Sequence, residues 1–102
     1  EEQVYGAKEV GTDRIELYTG HFAEEFYHDK EKAIEPHTKT AKLANELGLG
    51  VNAGHDLNLD NLNYYKNHVE NLAEVSIGHA IICDAIYFGL EETIKKYLQE
   101  LK

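Results

Sequence analysis

Three short segments of the chain carry apolar patterns that are typical of β-strands. Arg14–Thr19 alternates polar with apolar residues and is rich in β-branched and aromatic side chains. Leu49–Ala53 is a short apolar stretch, and Ala73–Ile77 is also strand-like. A glycine follows the three segments, at Gly20, Gly54 and Gly78 respectively. The pattern therefore predicts three strands, each ending in a turn.

Helical periodicity fills the intervals between these strands. His21–Glu35 is polar and charged, and we expect a helical excursion or a long loop there. Ala80–Phe88 is almost wholly apolar, so we expect this helix to be buried, and Cys83 with it. The last helix has an inner stripe formed by Leu90, Ile94, Tyr97, Leu98 and Leu101. The predicted helices are Glu2–Val10, a helix with Pro36 in its first turn that stops at Gly48, Asp60–His68, Ala80–Phe88 and Glu91–Leu101.

Strict alternation of strands and helices predicts an α/β fold with parallel strands joined by right-handed crossovers. Parallel strands are normally buried on both faces and belong to larger sheets. A separate three-stranded unit would leave two edges and much apolar helix surface uncovered. We therefore expect the 102 residues to be a single partial domain: either the C-terminal portion of a larger α/β domain or a piece completed by association.

Candidate chemistry lies directly after the second and third strands. Gly54-His55-Asp56 follows the second strand, and Gly78-His79 follows the third. The carboxyl ends of parallel strands are where ligands and catalytic groups collect, and a glycine lets the backbone approach a ligand closely. From the residues alone, His55 is equally compatible with a helix-capping or core histidine, and Asp56 with an ordinary turn residue. Gly78 and His79 are also compatible with a plain strand-to-helix turn.

Charge and composition exclude some partners. The net charge of −9 repels a phosphate backbone, so we expect no nucleic-acid partner. We expect no membrane span, because no run of about 18 apolar residues occurs. No signal peptide is visible at Glu1-Glu2-Gln3, and a single cysteine fits a reducing cytosol, so a cytoplasmic location is expected. Arg14 is the one arginine, so an anionic substrate would need backbone amides or arginines from outside this sequence.

Several long sequence motifs resemble those of a known family. Arg14-Ile-Glu-Leu-Tyr-Thr-Gly20, Gly50-Val-Asn-Ala-Gly-His-Asp-Leu-Asn58 and Glu74-Val-Ser-Ile-Gly-His-Ala-Ile81 are similar to three successive signature segments of pyridoxine 5′-phosphate synthase. Tyr87–Ile94 resembles the C-terminal helices of the same family. The resemblance implies a (β/α)8 TIM barrel, which typically needs about 250 residues. The chain would then be its C-terminal part, about strands six to eight with their helices.

The resemblance also implies an activity and roles for five residues. The family condenses 1-deoxy-D-xylulose 5-phosphate with 3-amino-1-hydroxyacetone 1-phosphate into pyridoxine 5′-phosphate, phosphate and water. His55 matches its proton-donating histidine, and Glu16 matches a glutamate that stabilises the charged transition state. Asp56 matches a main-chain ligand contact where some members have glycine, and Gly78 and His79 match substrate-binding positions.

Other implications of the resemblance concern what is missing and what is not required. The family's catalytic bases, a histidine and a glutamate, and its phosphate-binding arginines have no counterpart in this sequence. The resemblance implies no cofactor, no metal and an octameric homo-oligomer that acts on phosphorylated small molecules.

Two local alternatives remain open. Glu16 lies between Ile15 and Leu17 and faces the opposite side, towards the interior of a barrel if those two pack against helices; a structural role as the partner of Arg14 is the rival. The spacing of His21, His28, Asp29 and His37 fits no compact metal-ligand set, and we expect this charged segment to be solvent-exposed.

Two functional hypotheses follow. The first is the C-terminal part of a pyridoxine 5′-phosphate synthase, with a chain that is inactive alone. The second is a non-catalytic barrel fragment that binds phosphate or associates with itself.

Overall fold

The computed structural model describes residues 2–102 as six helices and three strands. In chain order the elements are α1 (Glu2–Glu9), β1 (Arg14–Tyr18), α2 (Gly20–Glu25), α3 (Lys30–Glu46), β2 (Gly50–Gly54), α4 (Leu62–His68), β3 (Leu72–Ser76), α5 (His79–Phe88) and α6 (Leu90–Glu100). All three predicted strands and the predicted helices are therefore confirmed to within two residues, except that α3 begins well before its predicted start near Pro36. The segment 21–35 resolves into α2 and the start of α3.

The strands form one parallel sheet in the order β1-β2-β3. Glu16 on β1 lies opposite Asn52 on β2, which lies opposite Glu74 on β3. A register irregularity occurs in the second pairing, between Val51 and Asn52. The parallel α/β prediction is confirmed, whereas three strands do not close into a barrel.

One face of the sheet is apolar and covered by helices, and the other is polar and open. Leu17, Val51 and Ala53 point into the core, where α3 contacts β2. The alternate positions include Glu16 and Glu74, whose side chains are exposed. Parallel sheets are normally covered on both faces, so the open polar face is unusual for a sheet of this kind.

An aromatic cluster joins α2, α3 and α4 beneath the loops. Phe22 and Tyr65 are fully buried with ring centroids 4.9 Å apart, and Phe26 packs against Phe22 at 5.6 Å. The Nδ1 atom of His37 lies 3.0 Å from the Tyr65 hydroxyl. Burial raises the pKa of Tyr65, so this hydroxyl stays protonated. The expectation that the histidine-containing segment is solvent-exposed is therefore wrong for His37, because α3 turns that side chain towards the cluster.

The prediction that the apolar helix after β3 is buried is wrong. None of the residues of α5 is buried, and Ile86 and Tyr87 are 78% and 84% exposed. Cys83 is exposed as well, which corrects its predicted burial. The helix packs mainly against α6, and no other described element covers its outer side. Its composition is that of a core helix, yet within residues 2–102 most of its apolar surface has no neighbour.

Two helix details also differ from prediction. Pro36 lies inside α3 rather than in its first turn, because the helix begins earlier: the side chain of Asp29 caps it by accepting a hydrogen bond from the Lys32 amide at 3.1 Å. In α6 the predicted stripe is only partly inward. Tyr97 is buried, Thr93 is buried beside it, and Leu98 is 57% exposed.

The half-buried His37 makes stability depend on pH. Desolvation lowers the pKa of His37 below its ordinary value of 6.5, and the nearby His21 lowers it further. The folded protein therefore favours the neutral imidazole, and below pH 6.5 the unfolded chain binds more protons than the folded one. The free energy of unfolding should fall as the pH falls from 6.5 towards the folded pKa of His37.

Between about pH 7.5 and about pH 5, we expect the free energy of unfolding to fall less in His37→Gln than in the parent protein. Urea unfolding at the two pH values measures this difference. His28→Gln is the matched control, because His28 is exposed and should leave the acid-dependent loss unchanged. Equal acid sensitivity of His37→Gln and the parent would contradict the assignment.

Candidate functional site

The carboxyl ends of the three strands lie side by side at one edge of the sheet. Tyr18 at the end of β1 is in register with Gly54 at the end of β2, which is in register with Ser76 of β3. The loops that follow the second and third strands begin with His55-Asp56 and Ile77-Gly78. Because the strands are parallel, these loops share the same edge.

Two adjoining clefts open at this edge. One, of about 500 Å³, is lined by residues that include Tyr18, Asp56, Gly78 and His79. The other, of about 690 Å³, is lined by residues that include His55, Asp56, Gly78 and His79. Four of the five residues predicted from sequence therefore surround one composite depression.

His55 and Asp56 form a directly bonded pair on a strained turn. The Nδ1 atom of His55 lies 2.9 Å from Oδ2 of Asp56. Both residues have positive φ angles, 100° and 60°, a region that L-residues rarely adopt and that costs on the order of 1–3 kcal/mol each. The hydroxyl of Thr19 donates to the backbone carbonyl of His55 and ties the turn to the end of β1. Backbone strain of this kind is often found at functional sites.

The pair has the geometry of an oriented proton-transfer group. When Nδ1–H of His55 donates to the Asp56 carboxylate, Nε2 is the ring nitrogen that can accept or donate a proton. A carboxylate on one ring nitrogen favours one tautomer of the imidazole and restricts its direction, as in other acid–base sites. His55 is not a core histidine, because its side chain is 55% exposed. Asp56 lies in the turn after β2, as the turn alternative expects, and its carboxylate is bonded to His55.

Buried amides hold the loop that carries this pair. Asn61 is fully buried, accepts from the Asn58 amide at 2.8 Å and donates to the carbonyl of Asp56 at 3.4 Å. The main-chain carbonyl of Asp56 is therefore already engaged. Its main-chain N–H is the group that could meet a ligand.

Gly78 and His79 lie where β3 leads into α5. Gly78 is the N-cap residue of α5, and a Cβ added there would meet no atom within 4 Å. The first amides of the ten-residue helix therefore lie at an open surface beside the cleft. A helix N-terminus favours anions, because its free N–H groups and the helix dipole both face the ligand.

Glu16 occupies the polar face next to the turn. A Cβ added to Gly54 would lie 2.6 Å from Oε1 of Glu16, so the carboxylate lies directly over that glycine. Arg14, the proposed structural partner, instead forms its ion pair with Glu74 across the sheet. Glu16 lines neither of the two clefts, but it lies against the residue that precedes His55.

Sequence reasoning missed Tyr18, Thr19 and Asn61. The signal for Tyr18 was present, because strict alternation along β1 puts it on the same face as Arg14 and Glu16, at the end nearest the turn. Nothing in the local pattern indicates that Thr19 and Asn61 would support the turn through hydrogen bonds.

Among residues 2–102, no group of three or more histidine, cysteine or acidic side chains is arranged to hold a metal ion. None of the helices formed by these residues combines the length and the apolarity needed to cross a bilayer.

A parallel β/α unit that brings a histidine, a carboxylate and a helix N-terminus to the carboxyl edge of its sheet is typical of phosphate-handling α/β enzymes. A sequence model of the family described as "Pyridoxal phosphate biosynthesis protein PdxJ" matches residues 1–102, and the chain belongs to that family. This finding confirms the resemblance inferred from the sequence motifs.

Named relatives agree with the family match. The chain is 54% identical over 101 residues to a pyridoxine 5′-phosphate synthase of Flavobacterium johnsoniae, covering 99% of this chain and 43% of that protein. It is 58% identical to the protein of the same name from Cytophaga hutchinsonii, covering 97% of this chain and 42% of that protein. The chain thus spans about two fifths of the length of the relatives that it matches.

The strained turn gives a stability prediction. Asp56→Ala and Asp56→Gly both remove the carboxylate, but only alanine keeps a Cβ in the left-handed conformation at φ 60°. We expect the free energy of unfolding of Asp56→Ala to be about 1 kcal/mol lower than that of Asp56→Gly. Equilibrium denaturant unfolding measures the difference.

The same pair of substitutions at Lys95 is the control. Lys95 is exposed on α6, where the order should reverse because glycine is about 1 kcal/mol worse than alanine in a helix. Equal stabilities of the two Asp56 variants would show that the left-handed turn is not maintained in solution.

Proposed function

We propose that the chain supplies part of the active site of a pyridoxine 5′-phosphate synthase. The enzyme would condense 1-deoxy-D-xylulose 5-phosphate with 3-amino-1-hydroxyacetone 1-phosphate into pyridoxine 5′-phosphate, phosphate and water. The observation that carries the proposal is the family match over residues 1–102, together with the bonded His55–Asp56 pair at the carboxyl edge of the sheet.

The proposed architecture is the C-terminal part of a (β/α)8 barrel, with residues 1–102 as one partial domain. Two surfaces that lack neighbours support this architecture. The open polar face of the sheet has the character of a barrel interior near an active site. The exposed apolar side of α5 and α6 has the character of a helix surface that packs against neighbouring elements. The remaining length of the relatives is sufficient to supply both.

His55 is proposed as the general acid. Ring closure expels water, and a hydroxyl leaves readily only when its oxygen is protonated. An imidazolium can give that proton near neutral pH, and the Asp56 carboxylate on Nδ1 leaves Nε2–H as the donor. Glu16 is proposed to stabilise positive charge that develops on the substrate, since its carboxylate lies over Gly54 on the same open face.

Substrate phosphate is proposed to bind at Gly78 and His79, with the main-chain N–H of Asp56 as a further contact. The helix N-terminus supplies uncharged donors there, which matters in a chain of net charge −9. Arg14 is engaged with Glu74, so guanidinium groups for the phosphates would come from the rest of the complete enzyme. The family's catalytic histidine and glutamate bases would come from there too, so the 102 residues alone should be inactive.

The non-catalytic alternative is not favoured, because the relatives compared above carry the name of the enzyme over nearly the whole of this chain. We further propose that the complete protein acts in the cytoplasm as a homo-oligomer, an octamer by family resemblance, and needs neither a cofactor nor a metal. No nucleic acid or membrane partner is proposed.

Replacing His55 by asparagine in the complete enzyme tests the function. Asparagine keeps polarity but cannot donate a proton as an acid, so we expect the rate of pyridoxine 5′-phosphate formation to fall by about 10²–10⁴-fold. Product formation followed by chromatography measures the rate. His28→Asn is the control, because His28 lies outside both clefts and should retain full activity. Unchanged turnover in His55→Asn would remove the role assigned to this residue.

The architecture has a separate test in the same complete protein. Ile86 is 78% exposed in the 102-residue unit, and if a barrel neighbour or another subunit covers it, Ile86→Asp buries an unpaired carboxylate. We expect a loss of more than about 2 kcal/mol of unfolding free energy. Val10→Asp, at a similarly exposed apolar residue outside α5 and α6, should have a smaller effect. A neutral Ile86→Asp variant would speak against coverage of this helix.

A further inference from the structure

We propose that Tyr18 is a positioning residue for His55: its aromatic ring and the Asp56 carboxylate together fix the direction of the imidazole. The inference rests on the proposed function for its catalytic consequence. Its structural content, the fixed orientation of the ring, can be measured without any assay of activity.

The contact between the two rings is direct. The ring centroids of Tyr18 and His55 are 4.8 Å apart with an interplanar angle of 42°. The His21 ring makes an edge contact with the tyrosine ring, with a centroid distance of 5.9 Å and an interplanar angle of 76°. Tyr18 thus contacts two histidines at the mouth of the site.

Glycine at position 20 makes this placement of the tyrosine possible. A Cβ added to Gly20 would lie 2.5 Å from both Cζ and Oη of Tyr18. The phenol ring therefore crosses the start of α2 in space that any side chain at position 20 would occupy. Although Tyr18 is 58% exposed, its ring has a defined seat formed by Gly20, His21 and His55.

His55 needs such a second contact. Its side chain is 55% exposed, and its one side-chain hydrogen bond goes to a neighbour that is itself 57% exposed. A single hydrogen bond from Nδ1 leaves the ring free to tilt about that bond. The tilted contact with the Tyr18 ring restricts this motion. Nε2 remains the ring nitrogen available for proton transfer, on a side chain that lines the cleft beside Gly78 and His79.

The expected kinetic effect of losing this contact is on kcat. An imidazole that samples several orientations spends less time in the geometry for proton transfer, and loss of orientation at a reacting group can cost on the order of 10–100-fold. The proposed phosphate contacts are made by Gly78, His79 and the Asp56 amide rather than by the Tyr18 ring, so KM should change less than about twofold.

The experiment uses the complete enzyme and three variants. In Tyr18→Ala we expect kcat to fall on the order of tenfold or more, with KM nearly unchanged. Tyr18→Phe keeps the ring and should retain kcat within about twofold. Tyr5→Ala is the control, because Tyr5 is 56% exposed on α1, away from the site, and should behave as the parent.

A second measurement is independent of catalysis. The ¹⁵N chemical shifts of the His55 imidazole report which ring nitrogen carries the proton, with His55→Asn used to assign the signals. The parent, Tyr18→Phe and Tyr5→Ala should show the Nδ1–H tautomer at a pH where the ring is neutral. Tyr18→Ala should show a mixture. If Tyr18→Ala does not fold, Tyr18→Leu replaces it, since leucine keeps apolar bulk without an aromatic face.

Several results would overturn the proposal. An unchanged tautomer and unchanged kcat in a folded Tyr18→Ala variant would show that the ring contact has no positioning role. A rise in KM alone, or a loss of activity in Tyr18→Phe as large as in Tyr18→Ala, would assign Tyr18 to substrate contact instead. A complete parent enzyme that forms no pyridoxine 5′-phosphate would refute the proposed function, while the ¹⁵N comparison would still decide the role of Tyr18.

Discussion

Parallel pairing of the three strands is the constraint on which the rest of this structure depends. Because β1, β2 and β3 run in the same direction, their carboxyl ends meet at one edge, and the loops that follow share it. His55 and Gly78 belong to different loops, yet both line the same cleft for this reason. The hydrogen bond from Thr19 to the carbonyl of His55 then joins the ends of neighbouring strands. Antiparallel pairing would have placed these groups at opposite ends of the sheet.

The turn after β2 combines strain with support. His55 and Asp56 both adopt positive φ angles, a conformation that persists only where the surroundings hold it. Here the holding groups are a buried amide, Asn61, a buried hydroxyl, Thr19, and the hydrogen bond within the pair itself. Aspartate at position 56 suits this turn, since aspartate is among the residues that enter the left-handed region most readily.

The two surfaces of the unit that lack neighbours differ in chemistry, and each difference is informative. The sheet face with Glu16, Arg14 and Glu74 is polar, whereas the outer side of α5 is apolar. A polar sheet face suits the charge stabilisation proposed above, and an apolar helix surface suits a protein–protein or interdomain contact. Both fit a chain that spans about two fifths of the length of its relatives.

The sequence by itself determined the order of the strands and of every helix except α2, the parallel α/β class, the family and four residues of the composite cleft. It could do so because alternation, helix-ending glycines and long family motifs are local signals. It did not determine burial. Ala80–Phe88 reads as a core helix, but it is exposed because burial depends on which neighbours are present. Tertiary structure alone decided that Arg14 pairs with Glu74, that His37 is sheltered against Tyr65 and that Tyr18 packs on His55. These are contacts between residues 28 to 60 positions apart, and no local pattern encodes such distances.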